Sequence, residues 1–187
     1  DGEYHFVFEK RAADIRQGGE ICFPGGKIDE TDTSLEQVAL RETYEEMGIP
    51  ADKIEIIGRV NTLVAPMGVT VDAFVGIANV SLDDLPVNAQ EVERIITFPV
   101  SYFLTHSPER YSVKVEVHST TVDTATGEQI VLLPVEQLGL PERYKKPWGN
   151  YLYKVLAYPT GQGVIWGITA RIVNDVAEKI SKIERGI

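Results

Sequence analysis

The sequence predicts a single α/β or α+β domain in which helices accompany a mixed β-sheet. Three observations predict it. Short stretches with alternating or continuous apolar character recur along the chain, as strands require. Two longer stretches carry the pattern of good helices, one of them with apolar residues at helical spacing. The 187 residues, 43% of them hydrophobic, are enough for one full core, and two domains would be cramped. Strands interspersed with helices in this way give a layered mixed fold.

Each element has its own signal. Residues 4–11, YHFVFEKR, alternate well enough for a strand. Residues 14–26 are glycine-rich and read as loop, with 21–24 a short extended piece. Thr33 or Ser34 can cap a helix that runs to about Met47 and is ended by Gly48. Residues 54–60 read as a strand, and 69–80 as a long, largely buried one. Residues 83–88 form a polar, proline-containing connection. Residues 91–98 suit strand and helix equally, and 99–104 suit one helical turn. Residues 111–123 and 126–133 predict a hairpin turning at Thr126 and Gly127. Residues 151–158 predict another strand, and GVIWG leads into the last helix. There Ile168, Ile172, Val173, Val176, Ile180 and Ile183 recur at helical spacing. Trp166 and Ile168 read as core, and Cys22, between Ile21 and Phe23, as a small buried hydrophobe.

The formal net charge is −10 and the isoelectric point is about 4.8. No basic tract stands out, which argues against sequence-independent nucleic-acid binding. An acidic protein that handles an anionic substrate needs local cations or a metal to offset its own field. Cys22 is the only cysteine, so an intramolecular disulfide is excluded. The apolar runs are too short to span a bilayer, and no signal-peptide pattern opens the sequence. The expectation is a cytoplasmic protein with neither nucleic-acid nor membrane partners. Oligomeric state is left open, a homodimer included.

The segment GGKIDETDTSLEQVALRETYEEMGI concentrates the chemistry. Glu42, Glu45 and Glu46 share one arc of roughly 100° on a helical wheel. Like charges at such spacing cost roughly a few tenths of a kcal/mol per pair. They also lie near the helix C-terminus, where the macrodipole disfavours negative charge. A solvated acidic face is one explanation. A divalent cation is the other, and hard oxygen ligands favour Mg²⁺ or Mn²⁺ over zinc. Gly25 and Gly26 lead into the helix and allow backbone to come close to a ligand.

These residues resemble the Nudix box: two glycines, a downstream acid, then Arg41-Glu42-x-x-Glu45-Glu46-x-Gly48-Ile49. The resemblance implies a Nudix-type α/β/α sandwich, a loop–helix–loop box, one to three divalent metals, and hydrolysis of a diphosphate. The spacing departs from the general pattern. Five residues separate Gly26 from Asp32 and eight separate Asp32 from Arg41, where the general pattern has seven and a glutamate. That lead-in is similar to the coenzyme A pyrophosphatase branch, matched by Phe23-Pro24-Gly25-Gly26, Asp29, Asp32, Ser34 and Ala39-Leu40-Arg41-Glu42. Lys10-Arg11, Arg16 and Gly19 to Phe23 match the branch in kind. The segment from Arg16 to Gly19 is one residue shorter than usual and lacks a histidine. Residues 164–170 are similar to the branch near its C-terminus, and residues 101–150 match only loosely.

By this resemblance Glu42, Glu45 and Glu46 are metal-site carboxylates, with the Gly26 carbonyl a further ligand. Arg41 fixes a box glutamate through a bidentate pair, or else makes a plain surface ion pair. Glu91 is the candidate for an extra acid from outside the box, as base or ligand, with Glu93 as runner-up. A solvated loop position is the plain reading of Glu91. Arg11 and Arg16 neutralise substrate phosphates, or lie on the surface without that role, and Gly25 contributes to the substrate site. His5, His106 and His118 receive no chemistry. The implied reaction cleaves coenzyme A or a derivative to 3′,5′-ADP and a phosphopantetheine. Two rivals are a Nudix enzyme acting on ADP-ribose or a dinucleotide, and a non-catalytic nucleotide-sensing module.

Overall fold

The alternation at residues 4–11 produces strand β1, His5–Arg11, which sits centrally in a three-stranded sheet. On one side it pairs antiparallel with β2, Ile21–Cys22, placing Glu9 opposite Cys22. On the other it pairs antiparallel with β7, Val92–Pro99, from His5 opposite Pro99 to Arg11 opposite Val92. The pairing resolves the ambiguity of residues 91–98 in favour of strand. Its register shifts between Lys10 and Arg11, and such irregularities re-aim side chains locally.

The computed structural model describes residues 2–66, 68–82 and 85–186. It is a mixed α+β structure in two compact units, Asp1–Arg110 with Val155–Ile187, and Tyr111–Lys154. In the first unit, helix α1 spans Leu35–Met47. It is followed by β3 (Ile54–Arg59), β4 (Leu63–Val64), β5 (Thr70–Val71) and β6 (Phe74–Ala78). Strands β3 and β6 pair antiparallel, as do β4 and β5. Helix α2, Val100–Thr105, is the expected helical turn.

Strand β8, Glu109–Val117, begins at the end of the first unit and continues into the second, which also holds β9 (Thr120–Val122) and β10 (Gln129–Val131). The expected hairpin is present, with shorter arms. Strands β9 and β10 pair with Thr120 opposite Val131. The turn is closed by Asp123, whose side chain accepts from the N–H groups of Ala125 and Thr126, and Gly127 takes φ 73°. Strand β11, Trp148–Thr160, leaves this unit and re-enters the first. There it pairs antiparallel with β12, Gly163–Trp166, which leads directly into helix α3, Gly167–Glu184.

Helix α1 is defined at both ends by local chemistry. The Ser34 hydroxyl accepts from Gln37 N–H at 3.1 Å, and the Gln37 side chain accepts from Thr33 N–H at 2.9 Å. At the other end Gly48 takes φ 71° and donates to the Tyr44 carbonyl. A Cβ on Gly48 would lie 2.7 Å from Pro86 Cγ and Cδ, so glycine is required for space as well as conformation.

The core of the first unit gathers Phe8 and Ile21, Ile96 and Phe103, Leu156, Tyr158 and Ile165, and Ala170, Val173 and Ala177 of α3. Phe8 stacks on Phe23 at 4.6 Å between ring centroids, and Phe103 meets Tyr158 edge-on at 5.0 Å. Phe6 and Phe8 thus give β1 one aromatic face. Glu9 and Arg11 project from its other face, as strand periodicity dictates.

Several expectations are corrected. The long buried strand at 69–80 is instead the short pair β5 and β6, with no buried residue in either. Asp72 falls between them, its carboxylate drawn to Arg59 and Thr62. Trp166 is 46% exposed rather than core, because alternation along β12 turns Ile165 fully inward and Trp166 outward. Ile168 is half-buried. On α3 the buried face runs through Ala170, Val173, Val176 and Ala177, while Ile183 is 76% exposed. Cys22 is half-buried and hydrogen-bonded, not simply an apolar filler. Of the 83–88 connection, Asp83 and Asp84 lie outside the described residues.

Candidate active site

Arg41, on the last half of α1, is where the lead-in loop and the acidic helix are tied together. Its Nε and Nη2 donate to the two oxygens of Asp32 at 3.1 and 2.9 Å. Its Nη1 donates to Glu42 at 3.0 Å and Glu45 at 2.9 Å, and Nη2 also donates to the Lys27 carbonyl at 3.0 Å. The bidentate partner is therefore Asp32, and the expected bidentate pair with a box glutamate is not formed. The reason is geometric: the loop folds back so that Asp32 presents both oxygens, one of which also accepts from Asp29 N–H at 2.8 Å. The Arg41 guanidinium holds the Asp32 carboxyl below its usual range, and Arg41 itself is held more firmly protonated by Asp32 first.

Glu46 faces inward from the same helix and is only 3% exposed. One oxygen accepts from Gly25 N–H at 2.9 Å, which pins the glycine pair to the helix. Burial, reinforced by the neighbouring charge of Glu9, pushes the Glu46 carboxyl up to about 8. Gly26 lies against Glu42 so closely that a Cβ there would sit 2.2 Å from the Glu42 carboxylate. Any side chain at position 26 would displace that carboxylate.

Beside these lies Glu9, which the sequence reading missed. It is 0% exposed. Its Oε1 accepts from the Cys22 thiol at 3.4 Å, and Arg11 Nη1 stands 3.6 Å from the same oxygen. Burial raises the Glu9 carboxyl, and the charges of Glu91 and Glu42 raise it further. Burial likewise pushes the Cys22 thiol up to about 12. In the sequence Glu9 stands between Phe8 and Lys10, where it looks like a solvent-facing strand residue.

Arg11 donates through Nε to the Arg16 carbonyl at 3.2 Å, so its guanidinium is fixed facing the acids. The Arg16 side chain is not brought to the site in this way: residue 16 is exposed, and only its backbone takes part. Glu91 accepts from the Asn88 amide at 3.3 Å, and its backbone carbonyl accepts from Ala12 N–H at 2.8 Å, anchoring its loop beside β1. Glu93 is engaged elsewhere, in an ion pair with Lys10 at 2.8 Å.

These residues fit a hard divalent cation by donor chemistry. The donors are carboxylates and a backbone carbonyl, and the Gly26 cradle leaves the Glu42 oxygens against open backbone. Among the described residues, no three His, Cys, Asp or Glu side chains are gathered into a finished cation site. No helix among them is long and apolar enough to cross a membrane.

Comparisons with known proteins bear on the family. The family model described as the NUDIX domain matches residues 1–154. A protein named "Nudix hydrolase 3" from Caenorhabditis elegans is 37% identical over 105 residues, 54% of this chain and 43% of its own length. The "Uncharacterized Nudix hydrolase NudL" of Photorhabdus laumondii is 30% identical over 175 residues, 93% of this chain and 76% of its own. The mouse "Peroxisomal coenzyme A diphosphatase NUDT7" is 35% identical over 104 residues, 55% of this chain and 44% of its own. The chain thus spans less than half the length of the worm and mouse relatives, and about three-quarters of the bacterial one. With the box acids, glycines and Arg41 assembled as described, and a family match over most of its length, the chain belongs to the Nudix hydrolase family.

Proposed function

We propose that this Nudix hydrolase depends on Mg²⁺ or Mn²⁺ and cleaves coenzyme A or a derivative to 3′,5′-ADP and a 4′-phosphopantetheine product. The observation that carries the substrate is the long lead-in to α1. Eight residues separate Asp32 from Arg41, and Asp32 serves as the two-point anchor of that arginine. The resemblance to the coenzyme A pyrophosphatase branch rests on this same segment, and the name of the mouse relative supports it.

Glu42, Glu45, Glu46 and the Gly26 carbonyl would hold the cation. When bound, it supplies Lewis acidity toward the phosphoryl oxygens and makes water a better nucleophile at neutral pH. Arg41 keeps Glu42 and Glu45 in register through its Nη1. Arg11, held by the Arg16 carbonyl, offers positive charge to a substrate phosphate. The Gly25–Gly26 backbone lies against the diphosphate. Glu91 takes the proton of the attacking water, its loop being tied to β1 through Ala12.

Product analysis on a panel of coenzyme A, ADP-ribose and a dinucleoside polyphosphate, with Mg²⁺ and with Mn²⁺, tests the substrate. The expected result is release of 3′,5′-ADP from coenzyme A as the fastest reaction. Rapid cleavage of ADP-ribose with coenzyme A untouched would overturn the substrate while leaving the hydrolase.

A further inference from the structure

Glu9 is a buried carboxylate to which the proposed reaction gives no role. It sits on β1 opposite Cys22, with 0% exposure. Oε1 accepts from the Cys22 thiol, while Oε2 has no hydrogen-bond partner among the described residues. Arg11 Nη1, at 3.6 Å, stands beyond hydrogen-bond distance and nearest the oxygen already occupied. A fully buried carboxylate oxygen without a partner is unfavourable in protein alone and calls for a water or an ion.

Its surroundings say which. The acids whose charges act on Glu9 are Glu91 and Glu42, and Glu9 acts in turn on Glu46. Glu46 accepts from Gly25 N–H, three residues beyond Cys22, so the segment leaving β2 is tied to the acidic helix. Arg11 is the one cationic side chain among the groups acting on Glu9. Two guanidiniums, Arg11 beside Glu9 and Arg41 on Glu42, face the four carboxylates, and Arg41 is also shared with Asp32 and Glu45.

We infer that Glu9, through Oε2, is a further oxygen ligand of the divalent cation held by the carboxylates of α1. The inference rests on the metal dependence proposed above. It makes β1 part of the site: the strand supplies a rigid donor, held by the Cys22 thiol, against which the helix carboxylates close. Cys22 is then a positioning residue, orienting Oε1 so that Oε2 faces the ion.

Mn²⁺ binding tests this without relying on turnover. Free Mn²⁺ is followed by electron paramagnetic resonance during titration of the wild type and of Glu9→Gln. The expected result is wild-type binding that weakens about tenfold or more in Glu9→Gln, the range seen when groups supporting a metal are removed. Equal affinity in the two proteins overturns the inference and leaves the metal-dependent reading intact. Absence of Mn²⁺ binding to the wild type overturns both. Should Glu9→Gln not fold, an anomalous map of the wild type crystallised with Mn²⁺ decides. An ion about 2.1 Å from Glu9 Oε2 supports the assignment, and one more than about 3 Å away contradicts it.

Discussion

Arg41 binds Asp32, Glu42, Glu45 and the Lys27 carbonyl with three nitrogens, and so ties the lead-in at residues 27–32 to the acidic helix. A lysine at this position keeps the charge but loses the planar fork, so it cannot hold Asp32 at two points and a glutamate at a third. We predict that Arg41→Lys lowers kcat by about 10²-fold, the scale of an ångström-level misplacement, while circular dichroism stays native. The need for an arginine here was legible in the motif. Its partner was not, because which acid reaches the fork depends on how residues 27–34 fold back. Glu9 was illegible for a related reason. A lone Glu in FVFEKR looks like a solvent-facing strand residue, and only contacts distant in sequence, through Cys22 and the box acids, show that it is fully buried.

At the scale of elements, the legible features are those fixed by neighbouring residues. The caps of α1 are of this kind, since Ser34 and Gly48 act within a few residues of themselves. Ser34→Ala should cost about 1 kcal/mol, and Gly48→Ala about 1–3 kcal/mol given its left-handed backbone. Urea denaturation of the two variants checks both values. The break between β5 and β6 was missed because Asp72 finds its partners, Arg59 and Thr62, in an earlier segment. Strand β11 offers a pH signature. Burial, followed by the charge of Glu178, pushes the Tyr158 hydroxyl up to about 12, from an ordinary value near 10. The folded state then keeps a proton that the unfolded chain releases. Stability from this group is intact below about pH 10 and is lost as pH rises toward 12. Denaturation midpoints measured from pH 9 to 11.5 should fall less steeply in Tyr158→Phe than in the wild type.

For the whole molecule, the fold class and the family were legible because one long motif and ordinary periodicity agreed. The second unit, Tyr111–Lys154, was the least readable part. It exposes Val122 and Val131 of its strands and Leu132 just beyond, so apolar character there does not track burial. The chain carries a net charge of −10 and places an acidic cluster where a diphosphate is proposed to bind, an arrangement that calls for a cation. The most direct test of that claim is the steady-state rate on whichever diphosphate the wild type cleaves fastest, measured with Mg²⁺, after chelation, and in Glu45→Gln. Glu45 is half-exposed, so the substitution leaves the core untouched. The account predicts background rates after chelation, recovery on adding Mg²⁺, and a kcat at least about 10²-fold lower in Glu45→Gln. Turnover that survives chelation, or a Glu45→Gln rate within about threefold of the wild type, less than about 1 kcal/mol in barrier height, would contradict it.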